Sequence, residues 1–177
     1  MQFEHFSIRP LTKDDLHAFF GLIDKNRSRL EAFFAGTVAR TRTFADAEVY
    51  LAEIVAKAEH KTYLPFILIN NETRDVAGFL DIKNIDWNIP RGELGYFIDV
   101  DYEGRGLSKN AFKLFSAHCF SELGFNKLFL RTHISNVGAQ RLAESAGFIV
   151  EGTLRKDYKT SEGILVDLLY YGKTSDD

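Results

Sequence analysis

One cysteine, three prolines and one tryptophan are spread over 177 residues, and each scarcity excludes something. The lone thiol, Cys119, cannot build an intramolecular disulfide framework. No cluster of Cys and His has the spacing of a zinc site, so no metal is expected. Charge of one sign is lacking too: 22 Lys and Arg stand against 25 Asp and Glu, a net charge of -3. Without a basic excess or a basic stripe the chain has no electrostatic footprint for nucleic acid, and neither DNA nor RNA is expected as a partner. No stretch approaches the roughly 18 consecutive apolar residues of a membrane span. Met1 to Pro10, which contains Glu4 and Arg9, has no apolar run of signal-peptide length. No membrane partner is therefore expected, and a reducing, cytoplasmic setting suits the unpaired thiol. What is present is ordinary for a folded chain: 45% hydrophobic and 27% charged residues, in a length that fits one domain over 1–177.

The pattern along the chain gives an order of elements. Phe3 to Arg9 alternates with Phe6 and Ile8 on one side, a short strand that Pro10 stops. Thr12 with Asp15 reads as a capping box, and Leu16, Phe19, Phe20 and Ile23 then recur at helical spacing. Thr43 with Asp46 repeats that signal before Leu51, Ile54 and Ala58. Between the two helices, Asn26 to Arg42 is rich in Arg and Phe and carries no clear period. Tyr63 to Ile69 and Val76 to Ile85 are β-prone runs joined by the turn-forming Asn70 to Asp75. A third run, Glu93 to Val100, ends in a glycine-bearing loop, and Leu107 to Leu123 has a helical apolar stripe of Ala111, Phe115, Cys119 and Leu123. Lys127 to His133 is the next strand, and Asn136 to Ala146 a short helix closed by Gly147. Phe148 to Arg155 and Ile164 to Tyr171 form a final hairpin. The order βααβββαβαββ predicts an α/β (α+β) sheet with helices on both faces.

The sharpest local signal is Asp99-Val100-Asp101-Tyr102-Glu103-Gly104-Arg105-Gly106-Leu107-Ser108, a strand end that runs through two glycines into a helix. A helix N-terminus leaves N–H groups unpaired, and glycine lets the backbone approach an anion without a Cβ between. No Lys-Ser/Thr pair follows, as a Walker loop would require, and the three spaced glycines of a dinucleotide fingerprint are absent. By itself the motif is equally a plain turn.

Several such motifs occur in one order. The loop has Glu103, Gly106 and Ser108 at the positions of a phosphate-loop pattern Gln/Arg-x-x-Gly-x-Gly/Ala, of which Gly106 matches. Arg91-Gly92-Glu93-Leu94-Gly95-Tyr96-Phe97-Ile98 precedes it, Asn136 to Phe148 follows, and Glu151-Gly152-Thr153-Leu154-Arg155 comes last. In this arrangement the chain resembles the GNAT N-acetyltransferase superfamily, in its RimJ/RimL-like (ribosomal-protein N-acetyltransferase-like) branch, over nearly its whole length. The resemblance implies a mixed, mostly antiparallel central sheet and acetyl-CoA as cosubstrate, and it leaves room for a homodimer. It implies that the pyrophosphate lies on Gly104, Arg105, Gly106, Leu107 and Ser108. The pantetheine arm would lie on backbone near Phe97, Ile98 and Val100, where neighbouring strands splay, with Asn136 at the start of the last helix. The acceptor would be a primary amine, in that branch a protein N-terminal α-amine. Alternatives are a small-molecule amine such as a polyamine or aminoglycoside, or an acyl-CoA-binding module without catalysis.

Transfer from a thioester needs a neutral amine, a polarised carbonyl and a thiolate able to leave. By that resemblance a backbone N–H near Phe97, Ile98 and Val100 would bind the thioester oxygen, an effect worth about 3 kcal/mol per donor. Glu93 is the expected base and His133 its rival; a surface ion pair between Arg91 and Glu93 is the alternative for the glutamate. Two positions depart from the family pattern. Glu103 puts a negative charge where Gln or Arg is usual, and Ala139 and Ala143 stand where relatives carry a Ser or Tyr proton donor.

Overall fold

A computed structural model describes residues 1–160 and 162–177. Its strands are β1 (Gln2–Phe3), β2 (Phe6–Pro10), β3 (Leu64–Asn70), β4 (Val76–Asp86), β5 (Arg91–Ile98), β6 (Lys127–His133), β7 (Ile149–Lys159) and β8 (Leu165–Thr174). They form one sheet in the order β1-β2-β3-β4-β5-β6-β8-β7. Every neighbouring pair is antiparallel except β5 and β6, which are parallel. The helices are α1 (Leu16–Leu30), α2 (Ala35–Ala39), α3 (Phe44–Glu59), α4 (Leu107–Ser121) and α5 (Val137–Ser145).

Period-two alternation along the strands builds two cores. Ile67, Phe79 and Phe97 face Phe19, Ile23, Leu51 and Ile54 of α1 and α3. Phe66, Leu68, Leu80, Ile82 and Leu94 face Ala111, Phe112, Phe115 and Cys119 of α4, with Ala143 of α5. Helices thus cover both faces, as the element order requires. Both capping boxes form. Asp46 accepts from Thr43 N–H at 3.0 Å while Thr43 Oγ1 accepts from Asp46 N–H at 3.1 Å. Asp15 does the same work for Thr12 and also receives a forked ion pair from Arg9, at 2.7 and 2.8 Å.

Three stretches differ from the sequence reading. The first strand is broken: Glu4 takes φ 47°, and the chain turns back so that Phe3 pairs with Phe6. Asn26 to Arg42 is largely helical, through the end of α1 and all of α2. The last hairpin runs on to Lys159 and back from Leu165. β7 is an edge strand exposed along most of its length, so no apolar alternation marks where it ends.

The parallel junction matters most. Strands β5 and β6 pair only at Arg91↔Lys127, Gly92↔Leu128 and Glu93↔Phe129. Beyond these they diverge, although β5 stays paired with β4 to Ile98 and β6 with β8 to His133. A gap opens in the sheet whose two edges are held rigidly from behind.

Candidate active site

A cleft of about 450 Å³ runs through this gap. On the α4–α5 side it is lined by Tyr96, Phe112, Thr132, Asn136, Ala139 and Ala143, and on the α1–α2 side by Phe33, Phe34, Glu93, Arg131, His133 and Tyr158. It therefore has a mouth on each face of the sheet, and the two mouths meet where the strands part.

The glycine-bearing loop lies at the end of β5. The chain makes a 3-10 turn over Val100–Tyr102 and enters α4 at Leu107. Gly104 and Gly106 have φ +73° and +75°, and Gly106 is the N-cap of α4. That conformation is what demands glycine at these two positions. It leaves the amides from Gly104 to Ser108 without a hydrogen bond to any of the described residues, at the positive end of a 15-residue helix. Arg105 is exposed on the loop, and Leu107 is buried in the core, so Leu107 offers only its backbone. Glu103 does not point its charge at this site unopposed, because Arg29 of α1 forms an ion pair with it.

Helix α1 also holds the strand end. Buried Asn26 accepts Val100 N–H at 3.0 Å and Arg29 Nη1 at 2.8 Å through Oδ1, and donates to Leu22 C=O at 2.8 Å. Lys25 bridges Asp99 and Asp101 at 2.8 and 2.5 Å. Asp99 N–H bonds Ala77 C=O at 2.9 Å. By the alternation of an antiparallel ladder, Phe97 then also turns its backbone toward β4, and Ile98 turns its own toward the gap. This refines the sequence reading. Phe97 cannot lend backbone groups to the gap, and Val100 N–H is taken by Asn26. Among the three residues, Ile98 is the one whose backbone faces the gap beyond the last β5–β6 pairs; its C=O is met by Arg29 at 3.4 Å.

Glu93 lies in the cleft wall, 4% exposed, in an environment unlike a surface strand position. Arg131 donates to it at 2.9 and 3.2 Å and Asn84 at 2.6 Å. Arg91, the expected ion-pair partner, is not the one: β6 brings Arg131 across instead. Arg131 also pairs with Asp157 at 2.7 Å. His133 Nδ1 accepts Ser135 N–H at 3.2 Å and lies 2.5 Å from Ser135 Oγ, which places the proton of the neutral ring on Nε2. Asn136 caps α5 by accepting Ala139 N–H at 3.2 Å, so its side chain shapes the helix start while lining the cleft. Cys119 is fully buried, and that burial pushes its thiol far above the usual range.

The sequence reading missed Arg131, Asn26 and Tyr158. Arg131 had a signal: it alternates with Phe129 and His133, so it shares their face. Asn26 and Tyr158 had none.

Comparison with known proteins agrees with this geometry. Residues 5–149 match the family described as "Acetyltransferase (GNAT) domain". The protein named "Putative ribosomal N-acetyltransferase YdaF" of Bacillus subtilis (strain 168) is 26% identical over 170 residues, covering 95% of this chain and 90% of that one. Spermidine N(1)-acetyltransferase of Escherichia coli (strain K12) is 26% identical over 151 residues, covering 85% and 76%. A solved structure of RimL, a ribosomal L7/L12 alpha-N-protein acetyltransferase in complex with coenzyme A, superimposes with a TM-score of 0.89 at 14% identity, covering 97% of this chain and 95% of that one.

Proposed function

The chain belongs to the GNAT acetyltransferase family, and from that premise we propose that it transfers acetyl from acetyl-CoA directly to an α-amine at a protein N-terminus. As a GNAT acetyltransferase it uses acetyl-CoA. The residues present suit that cosubstrate. The loop Gly104 to Ser108 offers its amides to a pyrophosphate, and the gap edge at Ile98 offers a donor for the thioester oxygen. In our reading the cofactor arm lies on the α4–α5 side and the amine enters from the α1–α2 side. The observation that carries this is the cleft itself, which crosses the sheet so that two ligands on opposite faces can meet.

The amine attacks the thioester carbon, charge collects on the carbonyl oxygen beside Ile98 N–H, and the C–S bond then breaks. Ala139 and Ala143 both line the cleft, so no acid stands at either position. A thiolate of pKa near 8.5 leaves without one at a loss of about 10² to 10⁴ in rate. An α-amine suits such a site. Deprotonating it at pH 7 costs roughly 1 kcal/mol, against about 4.6 for a lysine. A polyamine suits it less, because its primary amine, like a lysine's, costs more to deprotonate at pH 7 than an α-amine does. On this reading Glu93 and His133 form the acceptor wall. A single domain over 1–177 fits the one sheet shared by both cores, and no helix among the described residues is long and apolar enough to cross a membrane.

The test is CoA release from acetyl-CoA with N-terminal peptides, spermidine and aminoglycosides. Peptide α-amines should show kcat/KM at least tenfold above the other amines; a preference for spermidine would overturn the acceptor assignment. Cys119 should play no part. Cys119→Ala is expected to keep turnover within a few-fold, and mass spectrometry during turnover should show no acetyl-Cys119. An acetylated thiol that passes its acetyl group to the acceptor would replace direct attack.

A further inference from the structure

Among the described residues, three buried side-chain polar atoms have no hydrogen-bond partner: Asp81 Oδ1, Tyr96 Oη and Tyr158 Oη. A carboxylate oxygen is the most costly of these to strand, since burial without a partner costs more for a charged group than for a hydroxyl. Asp81 is 4% exposed at the centre of the sheet. Its other oxygen, Oδ2, accepts the hydroxyl of Tyr63. Its free oxygen lies against Gly95, the residue opposite it in register. A Cβ built on Gly95 would come within 2.1 Å of Oδ1, so the carboxylate occupies the space that a side chain at position 95 would fill. Gly95 in turn lines the cleft, two residues past the last β5–β6 pair, where the gap has opened. On the same face lie Glu93, Lys83 and Arg131.

We propose that Asp81 is the general base of the reaction, its free oxygen taking the acceptor's proton at Gly95 directly or through one water. The proposal rests on amine acetylation, whichever amine is used. Glu93 then plays another part, holding the acceptor wall in place with its oxygens bound to Arg131 and Asn84. In the step itself the lone pair of the neutral amine forms the N–C bond, and the carbonyl π pair moves to oxygen. The amine proton passes to Asp81 Oδ1. When the carbonyl reforms, the C–S pair leaves on sulfur, and the proton returns to the CoA thiolate or to solvent. Burial lifts the Asp81 carboxyl above its ordinary range, while Lys83, the Tyr63 hydrogen bond and the nearby Gly95 N–H pull it down and Glu93 pushes it up. A base raised in this way is better matched to neutral pH than an exposed aspartate.

The experiment is the pH dependence of kcat for CoA release with wild type, Asp81→Asn, Tyr63→Phe and Glu93→Gln, with acetyl-CoA-induced melting shifts measured alongside. Asp81→Asn keeps size and the Tyr63 partner, and should lower kcat about 100-fold or more while the acetyl-CoA melting shift persists. Should that variant not fold, Tyr63→Phe decides. Removing a donor from the carboxylate raises its pKa, so the ascending limb of the profile should move to higher pH. Glu93→Gln should change the height of the profile and leave that limb where it is. An Asp81→Asn enzyme with wild-type kcat, or a Tyr63→Phe limb that does not move, overturns the assignment. Wild type that binds acetyl-CoA yet releases CoA at the same rate with and without every amine would overturn the acceptor reading, and the base with it.

Discussion

Replacing Gly106 with valine is expected to abolish acetyl-CoA binding. Gly106 has φ +75° and ψ -6° as the N-cap of α4. A Cβ there would meet nothing within 4 Å, so the penalty is conformational rather than a clash. The left-handed region costs an ordinary L residue about 1–2 kcal/mol, and a β-branched one is a true outlier there. If the residue relaxes out of that conformation, the amides of Leu107 and Ser108 lose the direction that lets them converge on a phosphate. If it does not, the isopropyl group stands beside the amides where the anion must approach. At 100 times its dissociation constant a ligand stabilises the folded state by about 2.7 kcal/mol, a rise of roughly 5–11 °C for a chain of this size. Wild type should show that rise and Gly106→Val none, a loss of at least about 100-fold in affinity. Gly106→Ala should fall between. Equal shifts in wild type and valine variant would remove the loop from the cofactor site.

Arg131→Met should unfold at a markedly lower temperature. Glu93 has a side chain only 5% exposed, and Arg131 is its main counter-charge, itself 29% exposed. Breaking a buried pair from one side leaves the other charge without its partner, at a cost of about 3–5 kcal/mol. The melting temperature should therefore fall by roughly 6–20 °C. Asn84 remains as one donor to Glu93, which places the expectation toward the lower end. Adding Glu93→Gln to Arg131→Met should recover part of the loss, since the stranded charge is gone. Thermal unfolding of the single and double variants measures both. A drop corresponding to less than about 1 kcal/mol would mean that water reaches the pair and that the wall is softer than its burial suggests.

How far these features could be read in advance depended on the range of the forces that make them. Capping at Thr12 and Thr43 is local: donor and acceptor are three residues apart, so the helix starts were legible. The same holds for Gly104 and Gly106, whose backbone angles follow from a strand that must turn at once into a helix. Apolar, β-prone runs located β3 to β6. That signal stopped short of the end of β7, where the edge position leaves both faces wet and no apolar alternation survives. The partner of Glu93 was not legible. Arg91 is two residues away on the same strand, while Arg131 arrives across the sheet only because β6 pairs in parallel at Glu93↔Phe129. Likewise Glu103 looked hostile to a phosphate until α1 brought Arg29 to it. The helix starts and strands therefore came from near neighbours in sequence, the cofactor reading of the loop came from a resemblance over the whole chain, and the partners of Glu93 came from distant residues.

The sheet is continuous by strand order yet mechanically divided. Strands β1 to β5 form one antiparallel meander. Strands β6 to β8 form another block, and three residue pairs stitch the two together. At the closed end of the seam Pro90 C=O also accepts Asn126 N–H and Lys127 N–H at 2.6 and 3.2 Å, and among the side-chain ties is Arg131 on Glu93. If a thioester arm bonds Ile98 on one block and reaches Asn136 on the other, as we propose, it would act as a crossbar between two plates. The two blocks should thus move as separate rigid bodies when the arm is absent and as one when it is seated. Protein motion in this molecule would then be concentrated in the seam where bonds are made and broken.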